Sequence, residues 1–457
     1  MRTRRRVVAC LAGGLVLGMV TAQVAAAGAE PAGDPDGRRA SATGSARQVG
    51  DINDTIADYP GYGEYVGVDP VRVLDTRSGV GGTVGKAAAG QRINVDATAP
   101  ATVPDDAWAI AVNVTVTEPD AAGFLTVVPG NSAFTDSKGQ PLASNLNFAA
   151  GQTVPNLVVV GAFGNRMLST QISAGSAHVV MDVVGYFIGT GAERGARLES
   201  VAPTRVADSR TGLGVIGGAG ALGAGTTVLD LSGVPAGATG VALNVTATEG
   251  TESSFLTVYS GDLAAAPDAS SLAVAPGVSR PNLVFTRLSA DRRVNVFNFA
   301  GNVHVAVDLV GVFTPVPNAT TAGRVIARGT PYRSYDTRVD GVPLGANAIS
   351  VNFFGLDAEV GATVQAALVN VTVTAGTEAS YLSVYPATGS SGKGGPPNAS
   401  VVNWAPGEVN PNLSIVKLGP RLADGPDPGS DPDQFVGVFN FAGRVHFLFD
   451  EFAYVLA

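Results

Sequence analysis

Val294-Asn295-Val296-Phe297-Asn298-Phe299-Ala300-Gly301-Asn302-Val303-His304-Val305-Ala306-Val307-Asp308 returns almost unchanged as Val436-Gly437-Val438-Phe439-Asn440-Phe441-Ala442-Gly443-Arg444-Val445-His446-Phe447-Leu448-Phe449-Asp450. A weaker copy ends at Ala177-His178-Val179-Val180-Met181-Asp182. Repetition at a near-fixed period decides architecture before any single residue does. The copies stand 126 residues apart from His178 to His304, and 142 apart from His304 to His446.

Upstream of each copy the same landmarks recur in the same order. An opening signature reads Pro70-Val71-Arg72-Val73-Leu74-Asp75-Thr76-Arg77, then Pro203-Thr204-Arg205-Val206-Ala207-Asp208-Ser209-Arg210, then Pro331-Tyr332-Arg333-Ser334-Tyr335-Asp336-Thr337-Arg338. Next comes an alternating segment in which Trp108, Ile110, Val112, Val114 and Val116 share one face, while Asn113 and Thr115 lie on the other. That alternation predicts a half-buried antiparallel strand. Phe124-Leu125-Thr126-Val127, Phe255-Leu256-Thr257-Val258 and Tyr381-Leu382-Ser383-Val384 follow, and later Pro155-Asn156-Leu157, Pro281-Asn282-Leu283 and Pro411-Asn412-Leu413. About eight short strands per repeat, punctuated by Gly and Pro, leave no segment periodic enough for a helix. The expected fold is all-β: three tandem antiparallel β-sandwich repeats of immunoglobulin-like or jelly-roll kind after a signal peptide.

The expected divisions are a signal peptide at 1–27, a leader at 28–65, and repeats at 66–189, 195–315 and 324–457. Arg2, Arg4, Arg5 and Arg6 form a basic start, an apolar run follows to Val24, and Ala25-Ala26-Ala27 fits a cleavage site. This predicts export to the extracellular space or cell surface, by the general secretory rather than the twin-arginine route. The sole cysteine, Cys10, falls inside that signal, so stability must come from buried cores rather than disulfides. Removing 1–27 takes the net charge from −9 to −13, which disfavours nucleic acid and anionic lipid as partners. Past the signal no stretch is apolar for long enough to span a membrane. Tyr59, Tyr62 and Tyr65 are expected to dock on the first repeat.

Taken together, the P-x-R-x-x-D-T-R, N-V-T, F-L-T-V, S-N-L-N-F, P-N-L-V and V-H-x-x-x-D segments resemble a repeat of secreted actinobacterial and myxobacterial proteins, found alone or joined to hydrolases. The resemblance covers nearly all of residues 66–457 and implies a secreted or surface accessory module, a repeat for which no activity is established. The second repeat departs from it with Ser209, and the third ends Glu451-Phe452-Ala453-Tyr454.

Each of Asp182, Asp308 and Asp450 stands in an apolar strand, where a buried carboxylate needs a partner. Arg72 or Arg77, Arg205 or Arg210, and Arg333 or Arg338 recur in step with them, predicting one Arg–Asp contact between the first and last strands of each repeat. A histidine four residues before each aspartate is about 13 Å from it along a strand, too far for one metal ion. A local hydrogen bond accounts for His178, His304 and His446, and a solvated loop accounts for the acidic insertion at 423–433. No metal or other cofactor is expected. Tyr259 and Tyr385, at equivalent turns, are the glycan-stacking candidates, whereas Trp108 and Trp404 read as core.

No nucleophile elbow or zinc-protease motif is present, and every histidine is a repeat position. The expected function is a non-enzymatic surface or extracellular interaction protein, its partner another protein or a polysaccharide. A glycan- or cell-wall-binding module is the first alternative, and a glycoside hydrolase the second.

Overall fold

The computed structural model describes residues 63–98, 103–105, 107–130, 132–162, 166–188, 195–316, 320–339, 341–354, 363–388, 395–420 and 434–457. All belong to one compact unit. The expected signal peptide, Tyr59, Tyr62 and the acidic insertion lie outside the described residues, as does 189–194 between the first and second sets of strands.

The described elements are all strands. The first set comprises β1 (Glu64–Asp75), β2 (Ala87–Ala88), β3 (Ile93–Asp96), β4 (Ala107–Thr117), β5 (Gly123–Pro129), β6 (Leu146–Phe148), β7 (Val154–Gly161), β8 (Met167–Ile172) and β9 (Ser176–Ile188). The second comprises β10 (Arg197–Asp208), β11 (Gly225–Asp230), β12 (Gly240–Thr248), β13 (Ser254–Ser260), β14 (Leu272–Val274), β15 (Arg280–Arg287), β16 (Arg293–Asn298) and β17 (His304–Thr314). The third comprises β18 (Val325–Asp336), β19 (Ala348–Phe354), β20 (Val364–Thr374), β21 (Ser380–Ala387), β22 (Val402–Trp404), β23 (Asn410–Lys417), β24 (Gln434–Asn440) and β25 (His446–Leu456).

These strands make six small antiparallel sheets in a propeller-like ring. Three inner sheets run β1-β9-β4-β7, β10-β17-β12-β15 and β18-β25-β20-β23; three outer sheets run β3-β8-β5-β6, β11-β16-β13-β14 and β19-β24-β21-β22. An apolar core separates each inner sheet from its outer one. In the first, Ile110, Val112, Val114 and Val116 of β4 pack toward Leu125, Val127 and Leu168. A fourth core joins all three sets, drawing Ala109, Ala111, Leu157 and Val159 together with Leu283, Phe285, Phe313, Leu413 and Ile415.

That fourth core corrects two expectations. The sets are not three separate sandwiches in tandem, because they share an interior. Nor is β4 half-buried: its second face is buried too, since the next set covers it. Small Ala109 and Ala111 on that face permit the close approach.

The ring closes in a cycle. β1 packs on β15, β10 on β23, and β18 on β7. At the centre, the Leu157 amide donates to Asn282 Oδ1 (3.2 Å), the Leu283 amide to Asn412 Oδ1 (3.1 Å), and the Leu413 amide to Asn156 Oδ1 (3.1 Å). Each asparagine also donates from Nδ2 across a junction: Asn282 to Asn113 (2.9 Å), Asn412 to Asn244 (2.8 Å) and Asn156 to Asn370 (3.0 Å). Buried amides must be satisfied, and here each is satisfied by a neighbouring set.

Tyr65 does dock, but on the shared core rather than on the first set alone. Its ring stacks on Phe313 (4.1 Å between centroids), meets Phe187 and Phe285, and its hydroxyl donates to the Val184 carbonyl (3.0 Å). Burial pushes the Tyr65 phenol far above its usual range, so it stays neutral. Gly185 is required beneath it, because a Cβ there would lie 2.3 Å from the Tyr65 hydroxyl oxygen. In the third set, smaller Val325 pairs with Val455 where Tyr65 pairs with Phe187, and Ala453 pairs with Ala327 where Gly185 pairs with Gly67.

Candidate binding site at the junctions

Each junction is built around the arginine and aspartate that the sequence pairs. Strands β1 and β9 place Arg72 opposite Asp182 in register, and the same holds for Arg205 with Asp308 and Arg333 with Asp450. Arg72 Nε and Nη2 donate to Asp182 Oδ1 and Oδ2 at 2.9 and 3.3 Å. The other two pairs repeat this fork, with Nε contacts of 2.5 Å (Arg205) and 2.8 Å (Arg333). Burial pushes all three carboxyls up, against the pull of their guanidinium partners.

The second arginine of each signature serves another acid. Arg77, Arg210 and Arg338 grip Asp75, Asp208 and Asp336 through Nε and Nη2. The side-chain bond from Arg210 is the main cause that holds the Asp208 carboxyl down at about 2, and Arg77 lowers Asp75 in the same way. Beside these, Thr76, Ser209 and Thr337 share hydrogen bonds with Nδ1 of His178, His304 and His446 at 3.0, 2.9 and 3.0 Å. Among the described residues no cluster of His, Cys, Asp or Glu is arranged to hold a metal.

The next set around the ring reaches into the first two pairs. The Ser270 amide donates to Asp182 Oδ2 (3.4 Å), and Asp268 lies 3.5 Å from Arg72. Arg205 donates to the Asn398 carbonyl (3.3 Å). Side-chain exposure is 16% for Arg72 and 18% for Arg205, against 38% for Arg333, so the third-to-first junction is the more open.

Between the first and second sets lies a cleft of about 590 Å³. Arg72, Arg77, Thr115 and Thr153 line one wall, and Ser254, Asp268, Phe255 and Phe299 the other. Thr115 Oγ1 is buried without a hydrogen-bond partner in the protein. Phe299 is 59% exposed and stacks on Phe255 at 4.9 Å; Phe255 in turn meets Phe297 at 6.2 Å. Three aromatic rings thus form a strip across β13 and β16, ending at the cleft.

Tyr259 and Tyr385 cannot be stacking platforms. They are 1% and 3% exposed, covered on the sheet face opposite core residues Leu256 and Val258 or Leu382 and Val384; Tyr259 shares a hydrogen bond with Thr226 at 3.1 Å. Trp404 belongs to the third core, and Trp108 packs partly buried against the shared one. The sequence did contain the signal for Phe299, in the Phe297-Asn298-Phe299 spacing of the opening stretch. Alternation puts both rings on the face opposite Asn298, which is fully buried and donates to the Leu222 (3.1 Å) and Gly301 (3.0 Å) carbonyls.

No family model matches the chain, and no curated protein matches it. Among solved structures, the chain is similar to one described under the triple jelly roll fold and turret assembly in an archaeal virus (10% identity, 87% of this chain and 90% of that one, TM-score 0.18). It is also similar to one from Sulfolobus Turreted Icosahedral Virus (11% identity, 86% and 92%, TM-score 0.17).

Proposed function

We propose that the chain is a secreted, non-enzymatic interaction protein of three fused β-sandwich repeats, and that its partner is an uncharged polysaccharide. The observation that carries this reading is the strip of exposed Phe299 and half-buried Phe255 and Phe297 at a hydroxyl-lined cleft. An exposed aromatic surface beside polar groups suits the apolar faces and hydroxyls of a sugar ring. Charge argues for a neutral chain: Arg72 and Arg77 are matched by Asp182 and Asp75, Arg280 by Glu408, and Asp268 stands exposed. The net charge of −9 adds repulsion toward acidic polymers.

The arrangement weighs against a glycoside hydrolase. Such an enzyme needs one carboxyl free to give up a proton and a second beside it. Among the residues lining the cleft the one acid is Asp268, exposed and 3.5 Å from Arg72, and nearby Asp182 is held by both arms of Arg72.

Electrophoresis through gels containing hydroxyethyl cellulose, with pull-downs on chitin, cellulose and peptidoglycan, tests the reading. Retardation is expected with at least one uncharged polymer and none with carboxymethyl cellulose. Phe299→Ala is expected to weaken retention by about three- to tenfold, the loss of one stacking contact. Free migration in every gel sinks the polysaccharide reading in favour of a protein partner.

A further inference from the structure

The aromatic strip has a counterpart one step around the ring. Phe441 is 50% exposed and stacks on Tyr381 at 5.0 Å, while Tyr381 meets Phe439 at 6.4 Å. The registers coincide: Leu256 opposes Asn298 and Leu382 opposes Asn440, so the exposed ring follows directly in both. Asn440 anchors the turn as Asn298 does, donating to the Leu344 and Gly443 carbonyls at 3.1 Å. Across this second junction Thr246 Oγ1 is buried without a protein partner, as Thr115 Oγ1 is at the first.

The first set breaks the pattern. There Leu125 opposes Ile172, and the next residue is Ser173, whose hydroxyl accepts from the Phe124 amide at 2.9 Å. Gln171 stands where the others have Phe297 and Phe439, and donates to the Gly90 carbonyl. Phe124 is left without aromatic neighbours on either side of it in the register. The third-to-first junction retains the buried hydroxyl, Thr372, without the platform.

We infer that the chain carries two sugar-stacking sites, at Phe299 and at Phe441, so that one molecule bridges two strands of an uncharged polysaccharide or two stretches of one strand. This rests on the polysaccharide reading above. Two sites fixed in one body raise the local concentration of the second contact, so polymer binding exceeds that of either site alone.

Titration calorimetry of the full chain with cellohexaose and with chitohexaose tests it. Two equivalents of whichever oligosaccharide binds are expected for the native chain, one for Phe299→Ala, one for Phe441→Ala and none for the double variant. Both rings are exposed, and unchanged thermal unfolding of each variant checks that the fold is intact. Retention by the matching polymer is expected to fall further in each single variant than the loss of one oligosaccharide site would give. One equivalent for the native chain, or a single substitution that abolishes all binding, overturns the two-site inference and leaves the polysaccharide reading standing. No heat with either oligosaccharide, together with free migration through every polymer gel, overturns both.

Discussion

The inner and outer sheets come from the same repeated sequence and meet opposite fates. An inner sheet is buried on both faces, one by its own outer sheet and one by the next set around the ring. An outer sheet has one core face; its other face is covered at Thr257 and Tyr259 or Ser383 and Tyr385, and is open at the end that carries the aromatic strip in the second and third sets. Within the inner sheets Asn156, Asn282 and Asn412 are tied by bonds between sets, whereas the outer position varies from Ser173 to Phe299 to Phe441. Closure of the ring constrains the inner positions; the outer ones are open to function.

The largest effect expected from this contrast is at the centre. Asn282→Ala removes bonds to the Leu157 amide, Asn113 and the Ser271 carbonyl, leaving buried polar groups unmet. A loss of about 3–5 kcal/mol is expected in urea denaturation, still as one transition for all three sets. Separate transitions would break the claim of a shared interior.

Next comes the buried ion pair. Arg72→Met strands Asp182 and is expected to cost about 3 kcal/mol, whereas Arg333→Met, at the more open junction, costs about half as much. Equal losses would remove the distinction between the junctions.

Gly185→Ala drives a methyl group into the Tyr65 ring and is expected to cost about 2 kcal/mol. Adding Tyr65→Val, which copies the third set's Val325 and Ala453 at the corresponding positions, recovers part of that loss if the ring's pseudo-symmetry governs packing. A double variant no better than the single one argues against it.

The smallest effect is acid sensitivity. Arg210 depresses the folded-state Asp208 carboxyl to about 2, below its ordinary value of 3.8. Its stabilising contribution is therefore present above about pH 4 and fades as pH falls toward 2. Asp208→Asn is expected to lower stability at neutral pH and to flatten the pH dependence over that window, as read from thermal unfolding at successive pH values.

Much of this was legible in the residues. Alternation and turn chemistry announce the strands, and the co-recurring Arg and Asp announce a pair, because an acid in an apolar strand must find a cation. Tyr259 and Tyr385 misled because strand alternation tells which face a side chain takes and not what covers it; a ring two residues beyond Phe297, across a buried asparagine, was the better sign. Leu157-Val158-Val159-Val160 likewise carried a mark of two-sided burial, since an unbroken apolar run has no face to spare for water.

By itself the sequence determined the all-β character, the order of the strands and the partners that chemistry obliges, since these depend on local periodicity and on the cost of burying charge. Only the tertiary structure decided that the sets close on one another, that Asn156, Asn282 and Asn412 bind in a cycle, and that Phe299 and Phe441 remain outside. Contacts between residues more than a hundred positions apart leave no period in the chain, and they exist only once three inner sheets meet around a common core.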